Sequence, residues 1–193
     1  MSLLFQCHEQ AGRMPGKAPK FISGGGAGPE IAFALGCTSL GQILVARGDL
    51  GICAILLGDE PSELIAELGG HFATDRLAEG CSSLDAPLAA TAEATEKPWR
   101  KLDFPLDVRG TAFQRRVWQE LRAIPPGTTT SYAEIARRIG QPKALRAVAG
   151  ACAANVLALA IPCHRVVRSN GSLSGYRWGL ERKRTLIARE QGH

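Results

Sequence analysis

No run of this sequence stays apolar for the roughly 20 residues that a membrane-crossing helix needs, and no basic-then-apolar leader is visible at its start. The expectation that follows is a soluble, cytoplasmic protein without membrane contact. A Cys-x-x-Cys pair is also missing: the six cysteines stand at 7, 37, 53, 81, 152 and 163, a pattern of reduced thiols and not a disulfide framework. Histidine is scarce, with four in the chain, and none supplies a second ligand pair that would close a tetrahedral zinc site around Cys163 and His164. The adjacent Cys7 and His8 decide nothing by themselves. The run Gly24-Gly25-Gly26-Ala27-Gly28 has no strand before it and Pro29 after it, which argues against a phosphate cradle. With no nucleotide or metal motif left, no cofactor is expected.

What is present suits one domain or two small ones: 193 residues, 45% hydrophobic and 21% charged, with a formal net charge of +5. The excess of cations makes a polyanion a plausible partner without proving one. Residues 1–30, rich in proline and glycine, read as a flexible lead-in. The runs LGQILVARG and LGICAILLG, separated by Gly48-Asp49, predict a β-hairpin, and PSELIAELGGHF predicts a helix with Leu64, Ile65 and Leu68 on one face. Residues 31–102 thus form an α/β N-terminal domain whose last stretch, Ala73 to Lys101, reads as a linker with some helix.

Residues 103–193 are mainly helical. Thr111 and Gln114 form a capping-box pattern ahead of the apolar series Phe113, Val117, Leu121 and Ile124. A second capping box, Ser131 with Glu134, opens YAEIARRIG. After Gly140 the helix KALRAVAGACAAN restarts, and the two make a helix-turn-helix. The second helix is crowded with alanine and glycine. Some of these small residues pack inside the protein; with Lys143 and Arg146 at the helix start, the outward face including Ala147, Gly150 and Ala151 is placed to lie against DNA.

Directly behind that helix comes IPCHRVV. A thiol beside an imidazole is a nucleophile with its base, a pair of metal ligands, or a packed strand that contains both by accident, and the metal reading is the one the histidine count weakens. Pro162 excludes helix, so Cys163 is expected on a buried, extended segment with His164 reaching it through a water. A base needs an orienting partner. Glu190, on the face of LERKRTLIARE between Leu186 and Ile187, is either that partner or a carboxylate frayed into solvent near the chain end.

Taken together, PCHRVV, SYAEIA, RAVAGACAAN and LSGYRWG resemble the methylated-DNA-protein-cysteine methyltransferases, and GICAILLGD extends the likeness toward the N-terminal layer. The likeness is greatest to the C-terminal part of the bacterial adaptive-response members. It implies a ribonuclease-H-like N-terminal domain and a winged helix-turn-helix C-terminal domain acting on double-stranded DNA that contains alkylated guanine, as a monomer. The implied activity is irreversible, stoichiometric transfer of an alkyl group from the 6-oxygen of guanine, and from the 4-oxygen of thymine, to Cys163. His164 and Glu190 would serve as base and orienter. Tyr132 would contact the guanine ring, Arg146 would fill the gap left by a flipped nucleotide, and Asn155 would brace the active-site turn. The carbonyls of Cys163 and Val166 would receive the guanine amino group, the Tyr176-Arg177 backbone would face the 6-oxygen, and Trp178 would narrow the alkyl pocket. The lead-in leaves no room for the zinc-cysteine and gene-activating regions of adaptive-response members, so self-activated transcription is not implied. Two other classes remain: a non-catalytic DNA-binding regulator and a cysteine hydrolase.

Overall fold

A computed structural model describes residues 20–21 and 28–193. The chain divides into two compact units. The first runs to Glu93 and takes up Asp103–Asp107; the second comprises Ala94–Leu102 and Val108–His193.

The first unit is built on a five-stranded mixed sheet of order β1-β5-β2-β3-β4, with β1 at Lys20–Phe21, β2 at Glu30–Thr38, β3 at Gly41–Gly48, β4 at Gly51–Gly58 and β5 at Arg76–Glu79. The β2-β3-β4 meander is antiparallel and β5 runs parallel to β2. Continuous burial from Gly51 to Leu57 explains why β4 reads as an unbroken apolar run and not as an alternating one. Helix α1 (Pro61–His71) buries Leu64 and Leu68 against β3 and β4. At Gly51 the backbone adopts φ +143°, and a Cβ there would meet the Pro105 carbonyl oxygen at 2.4 Å. That close approach lets Ile52 N–H donate to Pro105 (2.8 Å) and Asp107 N–H donate to Ile52 (2.9 Å), which ties residues 103–107 to this unit.

Three expectations for this half need correction. The lead-in is not uniformly free of structure: Lys20–Phe21 pairs with β5, and the Gly28 N–H donates to the Thr74 carbonyl at 3.1 Å. Cys7, His8 and the run from Gly24 to Ala27 lie outside the described residues. Strand β2 is an element the sequence pattern does not signal, because Gly36 weakens it; a Cβ there would come within 3.2 Å of the Leu88 side chain, so the glycine lets the two pack closely. The supposed linker contains β5, a short 3-10 helix (Ser82–Leu84) and α2 (Asp85–Glu96).

The second unit packs α3 (Ala112–Arg122), α4 (Tyr132–Arg138) and α5 (Leu145–Ala153) on one another. Both halves of the predicted Thr111–Gln114 capping box are present, at 2.8 and 3.2 Å. Ser131 caps α4 by accepting from the Glu134 N–H at 3.1 Å, but Glu134 does not return the bond, because its carboxylate is taken by Arg137 and Arg138. Helix α5 is shorter than predicted at both ends: Gln141 to Ala144 form a turn, and Asn155 lies beyond the last helical residue. Trp118 Nε1 donates to the Ala151 carbonyl at 2.8 Å and fastens α5 to α3.

The segment carrying Cys163 is not a strand. It turns at Leu159, which holds the left-handed φ of 66°, and forms a 3-10 helix at Cys163–Arg165. Only Val166–Val167 (β7) is extended, pairing in parallel with Thr130–Ser131 (β6). Asn155 supplies the physical reason. Its side chain accepts from Leu157 N–H (2.9 Å) and donates to the Ile161 carbonyl (2.9 Å), replacing the ladder bonds that a strand would need. Helix α6 (Leu180–Gln191) closes the unit.

Removing the α3 cap by Thr111→Ala is expected to lower stability by about 1 kcal/mol, read as a shift of the urea midpoint without a change in slope.

Candidate active site

Four elements of the second unit meet around Cys163. The 3-10 helix places its thiol in the wall of a cavity of about 550 Å³, which α4 lines with Tyr132, α5 with Leu145, Arg146, Ala149, Cys152 and Ala153, and the following loop with Ser174 to Arg177. The α5 contribution follows from helical spacing, since residues 145, 149, 152 and 153 share one face. Cys163 is buried, and Asn155 Nδ2 donates to its sulfur at 3.3 Å. Burial pushes the thiol up to about 11, against the pull of the Asn155 hydrogen bond and the Lys183 charge. At neutral pH the resting group is a protonated thiol.

His164 is engaged through one ring nitrogen. Its Nε2 lies 3.0 Å from Glu190 Oε1, and burial holds its pKa below the usual imidazole range despite that carboxylate. A neutral ring with its proton on Nε2 donates to Glu190 and leaves Nδ1 as the basic nitrogen; Nδ1 is buried and has no hydrogen-bond partner among the described residues. Glu190 is not frayed. It is 5% exposed and accepts from Arg165 Nε (3.1 Å), Arg165 Nη2 (2.8 Å) and the Gly127 N–H (3.2 Å) as well as from His164. Burial drives its carboxyl upward, but the bonds to His164 and Arg165 outweigh this and hold it below the ordinary carboxylate value.

Tyr132 is half-buried, which raises its pKa, and its phenolic oxygen accepts from Ser174 Oγ at 3.1 Å. Its own O–H is therefore left to donate. Arg146 is exposed at the cavity mouth, and Lys143, Ala147 and Gly150 are exposed nearby. Ala151 is not: at 2% exposure, with its carbonyl held by Trp118, it belongs to the core and not to an outward DNA face. Tyr176 lines the cavity; Arg177 lines it too and donates to the Ala153 carbonyl at 2.9 Å. Trp178 does not line it. The indole is buried with its ring centroid 5.2 Å from that of Tyr176, so its influence on the cavity passes through that ring. Val166 is buried and its carbonyl accepts from Lys183 Nζ at 2.5 Å.

Sequence reasoning missed four participants. Arg165 stands inside the quoted motif without a role, although it binds Glu190, the Ile124 carbonyl (2.6 Å) and the Pro98 carbonyl (3.3 Å). Ser174 and Cys152 carried no signal beyond their chain positions. Lys183 did carry one: it lies seven residues before Glu190, hence on the same buried face of α6, where a charged residue calls for explanation. In the same helix Leu180, at the first position, is 44% exposed.

Residues 112–192 match the family described as 6-O-methylguanine DNA methyltransferase, DNA binding domain. The chain is 47% identical over 183 residues to the bifunctional transcriptional activator/DNA repair enzyme Ada of Escherichia coli K12, covering 95% of this chain and 52% of that protein. It is 53% identical over 93 residues to the methylated-DNA-protein-cysteine methyltransferase of Mycolicibacterium paratuberculosis, covering 48% of this chain and 56% of that one. The chain thus spans about half the length of these curated relatives. Among solved structures, Mycobacterium tuberculosis OGT in complex with DNA superposes with a TM-score of 0.70 at 31% identity, covering 83% of this chain and 93% of that chain.

The buried ion pair sets a stability test. Because Glu190 titrates below its unfolded value when folded, the stability it contributes is fully present above the ordinary carboxylate pKa and is lost as pH falls through the depressed one. Urea titrations across the acid range should show that loss in wild type and not in Glu190→Gln. Arg165→Ala, which leaves the buried carboxylate without its guanidinium partner, is expected to cost about 3–5 kcal/mol at neutral pH.

Proposed function

Because the chain belongs to the methylated-DNA-protein-cysteine methyltransferase family, we propose that it repairs DNA by moving an alkyl group from the 6-oxygen of guanine, and from the 4-oxygen of thymine, onto Cys163, once per molecule. The observation that carries this reading is a thiol in the wall of a cavity whose mouth is rimmed by cations, with a buried His164–Glu190 pair on the adjacent residue. The DNA in the Mycobacterium tuberculosis complex supports DNA as the partner. Of the two activities in the Escherichia coli relative's name, we assign only repair.

In this mechanism the target nucleotide leaves the stack and enters the cavity, and Arg146 occupies the space it vacates. The Cys163 proton passes through a water to His164 Nδ1, and Glu190 stabilises the imidazolium. The sulfur attacks the alkyl carbon in line, an S–C bond forms, and the C–O bond breaks with its electron pair left on guanine. Tyr132 donates its proton to the ring, so the leaving group departs neutral. The thioether has no hydrolytic exit. Asn155 braces the turn beneath the sulfur. Lys143, Ala147 and Gly150 flank Arg146 on the DNA side, the Cys163 and Val166 carbonyls face the guanine amino group, and the Tyr176-Arg177 backbone faces the 6-oxygen.

The architecture is read to match. The β2-β3-β4 meander with β5 parallel to β2 supports a ribonuclease-H-like fold for the first unit, whose chain segments interchange with the second unit's at 94–107 and so do not part at residue 102 as the sequence suggests. The α4-turn-α5 pair and the β6-β7 pairing support a winged helix-turn-helix for the second unit, docking in the minor groove. A monomeric, cytoplasmic protein completes the proposal.

Intact mass after mixing with a methylated-guanine duplex should rise by one methyl group, mapped to Cys163, and never by two. Cys163→Ser should bind the same duplex and gain nothing; repeated turnover, or methylation of that variant, sinks the mechanism. Arg146→Ala should slow repair of duplex DNA far more than reaction with the free methylguanine base, since only the duplex requires extrusion at a cost of a few kcal/mol. Equal slowing of both would remove Arg146 from nucleotide flipping.

A further inference from the structure

Lys183 is the only cation with no exposed surface among the described residues. Its Nζ donates to two carbonyls, Val166 at 2.5 Å and Ser174 at 2.9 Å, and no carboxylate lies within ion-pair distance among the described residues. An ammonium carries three donors and a full charge, and burying that charge without an anion is costly. Leucine or methionine would fill the same space on α6 without that cost, so the charge itself calls for a function.

The surroundings of Lys183 point to one. Its electrostatic neighbours are Cys163 and Cys152, with His164 also within its field. The titratable or charged groups facing Cys163 are Cys152 from α5, Tyr132 from α4, Tyr176 and Arg177 from the loop, and Lys183 from α6. At neutral pH only Arg177 and Lys183 of these are charged, and Arg177 is exposed with its guanidinium on the Ala153 carbonyl. The buried carboxylate of this unit, Glu190, is already held by His164, Arg165 and Gly127. A thiolate formed at Cys163 therefore finds one interior cation without an anionic partner.

We propose that Lys183 is a positioning residue of the transfer site: its ammonium is the fixed counter-charge for the Cys163 thiolate, and its two carbonyl bonds hold the wall that carries Ser174, and through it Tyr132, at the cavity. The inference rests on the alkyl-transfer reading for its role in catalysis, while the charge relation to Cys163 stands apart from it.

The test compares wild type with Lys183→Met, close in length and unable to carry charge. Two reactions are followed by intact mass across pH: alkylation of Cys163 by iodoacetamide, and methyl transfer from a methylated-guanine duplex. Removing a charge that favours the thiolate raises the thiol pKa, so both rates at neutral pH should fall roughly tenfold, with each profile moved about one pH unit upward and its alkaline plateau kept. A profile that loses amplitude at an unchanged midpoint overturns the proposal, since a purely structural lysine would act that way. If the variant does not fold, the Nζ resonance of Lys183 in nitrogen-labelled protein decides: it should titrate together with Cys163 in wild type and lose that step in Cys163→Ser. Persistence of the step without the thiol overturns the proposal too. Failure of wild type to accept methyl from DNA, with the iodoacetamide shift intact, would reject the repair reading and retain the Lys183 counter-charge.

Discussion

One carboxylate, Glu190, joins parts of the second unit that are far apart in sequence. It comes from the last helix and is bound by His164 and Arg165 from the 3-10 helix and by the Gly127 N–H from the turn before α4. Arg165 extends the network to the carbonyls of Pro98 and Ile124. Take the carboxylate away and a guanidinium, an imidazole N–H and a backbone N–H lose their acceptor together, each in a setting with little water to replace it. The orientation of His164, the seating of α6 and the position of the segment before α3 therefore depend on a single side chain, Glu190, near the end of α6.

A second constraint is local. Asn155 shapes the reversal between α5 and the reactive thiol through three side-chain bonds, the last of them to the sulfur itself. Since α5 is in turn fixed to α3 by Trp118, the nucleophile and the helix bearing Arg146 are held in one frame by short-range bonds. Apolar packing alone would position the segment less sharply, because alanine and leucine side chains in VLALAI offer similar surfaces in more than one register.

How much of this could be read from the chain depends on how far each interaction reaches. Local signals are legible: the Thr111–Gln114 box, the β3-β4 hairpin at Gly48-Asp49 and the Gly140 turn follow from spacing, whereas spacing leaves open whether Glu190 is buried or frayed. The Cys163-His164 pair stood out as chemistry, although its segment read as a strand because apolar runs do not announce an asparagine-braced turn. Hidden altogether were interactions across long separations. Nothing near Arg165 in sequence indicates that its partner is Glu190, and nothing near Gly51 indicates that Pro105 pairs beside it. Ala151 and Trp178 were misplaced for a related reason. A small residue on a helix, or an aromatic one in a loop, is outward or inward only with respect to neighbours that the sequence does not name.

The high proton affinity of Cys163 also bears on shelf life. A protein whose nucleophile is consumed in a single event is inactivated just as fully by stray oxidation as by its own reaction. Peroxides and disulfides react with the thiolate and with exposed sulfur. Here the sulfur is buried and pushed up to about 11, so at neutral pH almost every molecule holds the unreactive form. On the proposed alkyl-transfer reading, the burial that keeps the thiol protonated also guards it while it waits.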